Sequence, residues 1–270
     1  MEADPYARIV EWYDLEHDAL TEDVACYAGL IASLVGGRAR VLEVGSGTGR
    51  TAAALALAGC QVTGIEPSAA MRAVCARRLA QLPQPVARRV TILAGSATDP
   101  TLRADQSFDA VLYGLNTFAH LATARERHEA LDIARRHLAG GGPLLLDLDL
   151  LSIIRLRKSL GRVWWQGTWP LPAGGEVTHF MAAQEDDLPR VLRLRHFYDV
   201  TDSMGNLSRV TASMRLSVLR REQLERELAH AGFVINALYG SYDLAPYEEG
   251  APRALFVASV PYETASGSVK

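Results

Sequence analysis

The chain has 270 residues, 49% of them hydrophobic and 22% charged, with a formal net charge of -3. That composition is ordinary for a globular protein, and the charge gives no footprint for nucleic acid or an anionic membrane as partner. The three cysteines, Cys26, Cys60 and Cys75, form no CxxC pair and no zinc-type spacing, so they read as reduced thiols of a cytoplasmic protein without a metal site. The opening MEADPYARIVEWYDLEHD is polar and acidic, unlike a signal peptide, and no apolar run approaches the roughly 20 residues of a membrane span.

Ile9, Trp12, Tyr13, Ala19, Val24, Tyr27, Leu30, Ile31 and Leu34 recur near a 3.6-residue period and predict a helical opening that Gly36 and Gly37 stop. Strands and helices then alternate. ARVLEVG, QVTGIEP, RVTILAG, SFDAVLYG and PLLLDLDL read as strands. GRTAAALALAG, SAAMRAVCARRLAQL (with Ser68 as N-cap) and RERHEALDIARRHLAGGG read as helices. Strands this continuously apolar predict a mostly parallel sheet covered on both faces, a doubly wound α/β domain.

After Leu150 the rhythm changes. Residues 151–215 carry Trp164, Trp165 and Trp169 and alternate polar with apolar positions around a turn at DSMGN. That pattern predicts a small antiparallel β-sheet inserted into the α/β domain. The domain resumes over residues 216–262 with REQLERELAHAGF as a helix and FVINALYG and RALFVASV as closing strands. Residues 263–270 are expected to be a disordered tail.

The stretch VLEVGSGTGR places Gly45, Gly47 and Gly49 at alternate positions after a strand, with Glu43 two residues before the first. A dinucleotide fingerprint would want GxGxxG, but Arg50 stands where its third glycine belongs. A carboxylate there would repel a pyrophosphate and suits a cationic amino-acid ligand. ExGxGxG after a strand resembles the first motif of class I S-adenosylmethionine-dependent methyltransferases. The resemblance covers most of residues 1–150 and 215–260 and implies a Rossmann-like fold whose last strand is antiparallel. The opening YDLEHD and the late YGSYD are similar to the small-molecule, sugar N-methyltransferase branch.

What the resemblance implies for the site can be stated residue by residue. The glycine corner (Glu43, Gly45, Ser46, Gly47, Gly49) would hold S-adenosylmethionine, Glu66 would accept the ribose hydroxyls, and Pro67 and Met71 would lie beside the adenine. Ser96 and Ala97 would meet the adenine edge, although many relatives carry an Asp where Ser96 stands. In SFDAVLYGLNTFAHL, Tyr113 and Leu115 would face the cofactor, and Asn116 and His120 the acceptor. Tyr13 is either a packed helix residue or part of a lid over the cofactor with a catalytic role. His120 is either a general base, since imidazole titrates near neutrality, or a histidine packed under a loop. Trp164 and Trp165 form either one wall of the acceptor pocket or a homodimer interface.

The expected activity is methyl transfer to the N or O of a small-molecule acceptor. The alternatives are a non-catalytic S-adenosylmethionine-binding protein and a nicotinamide-dependent oxidoreductase.

Overall fold

Leu144, Leu146 and Leu148 of one strand fall in a different hydrophobic cluster from Leu145, because successive strand side chains point to opposite faces. The same split runs through the whole central sheet of the computed structural model, which describes residues 4–261. Strands β1 (Arg40–Val44), β2 (Gln61–Glu66), β3 (Val90–Ala94), β4 (Ala110–Tyr113) and β5 (Pro143–Leu148) pair in parallel. The full order is β10-β11-β5-β4-β1-β2-β3, with β11 (Ala254–Ser259) antiparallel between β5 and β10 (Val234–Tyr239). The strand order reverses between β1 and β4, which makes the carboxyl ends of those strands the switch point where ligands bind.

Helices α2 (Glu22–Val35) and α3 (Arg50–Leu57) pack Tyr27, Leu30, Ile31, Ala52 and Leu55 on one face. Helices α6 (Ala124–His137) and α8 (Arg221–His230) cover the other with Ala130, Leu131, Leu224 and Leu228. The single helical run expected of the first forty residues is two helices, α1 (Val10–His17) and α2, separated around Asp18–Thr21. Between β2 and β3 lie α4 (Ala69–Ala80) and the short α5 (Gln84–Ala87).

The inserted segment opens with a helix that the alternation had not predicted. Asp149 caps α7 (Leu150–Lys158) by accepting from Ser152 N at 2.8 Å. The antiparallel sheet follows as β6 (Val163–Pro170), β7 (Glu176–Glu185), β8 (Val191–Thr201) and β9 (Leu207–Ser217), in that order. Its inner face packs Val177, Tyr198, Ala212 and Met214 against Ile9 and Trp12. Its outer face carries Phe197 beneath the guanidinium groups of Arg195 and Arg209. The expected tail, 263–270, lies outside the described residues.

Candidate active site

From Val44 the chain turns through GSGTG into α3. Gly45 N and Ser46 N both donate to Ile65 O, at 2.8 and 3.1 Å, which clamps the turn to β2. Gly47 has φ +55°, and a Cβ there would meet nothing within 4 Å. At Gly49 a Cβ would collide with Cys75 Sγ, and at Gly45 it would stand 2.5 Å from Thr117 Cγ2. The middle glycine therefore borders open space, and its neighbours serve packing. Glu43 lies beneath the turn, 4% exposed, and burial raises its carboxyl to about 8 against the pull of Arg50. Among the described residues, Glu43 Oε2 and Ser46 Oγ are buried without a hydrogen-bond partner.

Glu66 ends β2 and is itself buried. Its Oε2 accepts from Gly47 N at 2.9 Å and its Oε1 from Ser68 N at 2.8 Å. Burial raises its pKa, opposed by those two hydrogen bonds. Each oxygen retains a lone pair for a further donor. Pro67 is exposed beside it, whereas Met71 is 1% exposed and offers no surface to an adenine, a correction to its expected place. Ser96 N donates to Asp99 O at 2.9 Å in the turn after β3, and Ala97 packs on the core.

After β4, Leu115 and Asn116 take φ +41° and +65°, unusual for residues with a Cβ. Such backbone strain collects at functional sites. Asn116 N donates to Asp147 O at 2.9 Å, and its Oδ1 accepts from Asp149 N at 2.6 Å, so its side-chain carbonyl ties β4 to β5. The Tyr113 side chain is a core residue whose hydroxyl donates to Ala130 O; it points away from the expected cofactor side.

The 3₁₀ turn Thr117–His120 follows. His120 is exposed to solvent yet hemmed by protein, and desolvation lowers its pKa. Its Nε2 stands 3.3 Å from the Tyr6 hydroxyl. His137, in the last turn of α6, is buried, with Nδ1 2.7 Å from Gln106 O.

The N-terminal segment covers the corner. Tyr6 packs edge-on to Tyr13 at 6.0 Å between ring centres, and Tyr13 stacks on His17 at 4.1 Å. Burial raises the Tyr13 hydroxyl to about 12, with Arg50 and Glu66 acting on it in opposite senses. Both therefore lie within electrostatic reach. Two acids make the attachment: Asp14 Oδ1 accepts from Thr48 Oγ1 at 2.6 Å, and Asp4 Oδ2 accepts from Ser68 Oγ at 2.6 Å. Neither acid stood out in the sequence, because each lies dozens of residues from its partner. Trp164 and Trp165 sit on edge strand β6, with β7 and β8 between them and β9, the strand that packs on the turn carrying His120.

Residues 42–144 match the family model described as a methyltransferase domain. Among solved structures, CcbJ methyltransferase from Streptomyces caelestis is 24% identical with a TM-score of 0.78, over 95% of this chain and 98% of its own. The amino pentose methyltransferase CalS10 from Micromonospora echinaspora, solved with S-adenosylmethionine bound, is 24% identical with a TM-score of 0.69, over 93% of this chain and 96% of its own. The sugar N-methyltransferase KedS8 from Streptoalloteichus is 22% identical with a TM-score of 0.68, over 92% of both chains. No curated protein matches the sequence. The family match over residues 42–144 and the likeness to these structures agree on the fold.

Proposed function

We propose that the chain is an S-adenosylmethionine-dependent methyltransferase that methylates an amino group of a small polar acceptor, of amino-sugar type. The observation that carries this reading is the glycine corner, where the orphaned Glu43 Oε2 and Ser46 Oγ lie under a turn left open at Gly47. These residues fit a donor with an ammonium group and a ribose: Glu43 and Ser46 for the amino-acid end, Glu66 for the ribose hydroxyls, the turn after β3 for the base. When bound, S-adenosylmethionine supplies a methyl group made electrophilic by its sulfonium.

The chain's own residues then align and exclude water. Tyr6, Tyr13 and the 3₁₀ turn bearing His120 close the space above the corner. Holding the acceptor in line removes much of the entropic barrier, about 7–11 kcal/mol in the most favourable intramolecular models. His120, kept neutral by desolvation, offers a hydrogen bond to the acceptor. The amino pentose and sugar substrates named for two of the similar structures support this acceptor class. The edge strand β6, with Val163 and Trp165 exposed, supports pairing with a second copy of the chain.

Incubation with S-adenosylmethionine and a panel of amino sugars, phenols and small amines tests the reading by mass spectrometry. A mass gain of one methyl on an amino sugar is expected. Methylation of phenols alone would overturn the nitrogen assignment, and cofactor binding without any transfer would favour a non-catalytic binder.

A further inference from the structure

Glu16 of α1, His179 of β7 and His196 of β8 form a hydrogen-bonded line across the inner face of the small sheet. Glu16 Oε2 lies 3.0 Å from His179 Nδ1, and His179 Nε2 lies 3.0 Å from His196 Nδ1. The His179 ring is locked by stacking on Tyr198 at 4.3 Å, and Tyr198 is in turn stacked on Trp12 at 5.2 Å. His196 lies on β8 between Leu194, which joins the cluster of Phe118 and Ala119, and Tyr198, which joins that of Ile9 and Trp12. The register sets small Ala212 opposite His196, on the strand that packs on both the turn with His120 and the turn with Tyr6. Among the described residues no group of three such side chains is arranged to hold a metal ion.

The line fixes tautomers. Burial pushes the Glu16 carboxyl up, but the hydrogen bonds it accepts from His179 and Tyr198 outweigh that, so Glu16 lies below its ordinary value. A carboxylate only accepts, so His179 Nδ1 carries the proton; its Nε2 is then an acceptor, and His196 must donate to it through Nδ1. His196 Nε2 is left as a bare lone pair. Among the described residues it is buried and has no partner. An orphaned buried acceptor costs about 1–3 kcal/mol, and a folded protein that keeps one calls for an explanation.

We propose that Glu16, His179 and His196 are a proton relay of the acceptor pocket, in which His196 Nε2 takes a proton from the acceptor's ammonium before methyl transfer. The proposal rests on the amine-acceptor reading above. The balance is direct. The acceptor N–H bond breaks and a His196 Nε2–H bond forms, while the His196 Nδ1 proton passes to His179 Nε2. The acceptor becomes a free amine with its lone pair, His196 ends neutral, and the positive charge rests on His179 against the Glu16 carboxylate. Burial first, and then His179, hold His196 down at about 4, with Glu16 and His120 as the other charges acting on it. A lone imidazole so depressed would be a poor base, and the relay avoids leaving the charge there. His196 is the catalytic residue, and Glu16 and His179 position and support it.

Ring-nitrogen NMR of the labelled protein, and turnover of an amine acceptor against pH, test this together. His196 is expected to show a protonated Nδ1 and a bare Nε2. Glu16→Gln and His196→Gln are expected to lower kcat by roughly a hundredfold, the low end for proton transfer by a placed side chain, with cofactor affinity unchanged. The deficit should vanish as pH rises past the acceptor's own pKa, where the free amine is supplied by solvent. A protonated Nε2, a deficit that ignores pH, or variants equal to wild type would each overturn the relay. Wild-type protein that methylates no amine would overturn the underlying reading, which the tautomer measurement does not depend on.

Discussion

Gly47 N donates to Glu66 Oε2 at 2.9 Å, so the acid at the tip of β2 holds the glycine turn in place. Its loss acts twice, on the turn and on the ribose contact assigned to it. Charge-assisted hydrogen bonds contribute about 1.5–3 kcal/mol each. Glu66→Ala is therefore expected to weaken S-adenosylmethionine binding by roughly ten- to a hundredfold in calorimetry, and Glu66→Asp by less. An unchanged affinity would detach Glu66 from the ribose.

The three glycines should separate by experiment. Gly47→Ala points its new methyl into open space at a left-handed φ, which costs about 1–2 kcal/mol of stability, and is expected to block cofactor binding in a folded protein. Gly49→Ala drives a Cβ into Cys75 Sγ and is expected to lower the melting temperature more. Equal loss of stability in both, with binding retained in Gly47→Ala, would remove Gly47 from the site.

Glu43 gives a pH signature. Burial raises its folded-state value to about 8 from an ordinary 4.5. The stability it contributes is fully present below 4.5 and is lost as pH rises through 8. The free protein near pH 7 thus carries Glu43 protonated, whereas a bound ammonium group demands the carboxylate. Cofactor binding at pH 7 is expected to release about one proton, and affinity to climb until pH passes 8. Calorimetry in two buffers of different ionisation enthalpy reads this directly; zero release would place the ammonium elsewhere.

Asp147 at the middle of the sheet accepts from the Tyr27 and Tyr242 hydroxyls and pairs with Arg253 at 2.6 Å. Removing one partner of a buried pair costs about 3–5 kcal/mol. Asp147→Ala should lose that much in denaturant unfolding, and a loss below about 1 kcal/mol would show the network to be dispensable.

Replacing Trp164 and Trp165 by alanine is expected to leave turnover intact and to yield a smaller particle by light scattering. Lost activity at unchanged mass would restore them to the acceptor pocket.

The glycine corner and Glu66 were legible because a strand, a turn and a second strand tip are set by local spacing alone. Tyr113 and Met71 were read onto the ligand side from motif position, but one residue of strand register sends Tyr113 to the other face of the sheet, and Met71 lies on the face of α4 turned into the core. Helix α7 was hidden by the strand-like alternation that follows it, although Asp149 and Ser152 form a readable cap. The line from Glu16 to His179 joins residues 163 positions apart, and nothing in either neighbourhood announces the other.

Helix α1 grips both halves of the molecule, with Asp14 on the glycine turn and Glu16 on the small sheet. Asp14 is further latched by Arg78 at 2.8 Å. One short helix therefore fastens the glycine turn, α4 and the small sheet to one another, and whatever loosens it, the loss of Arg78 included, would slacken all three attachments together.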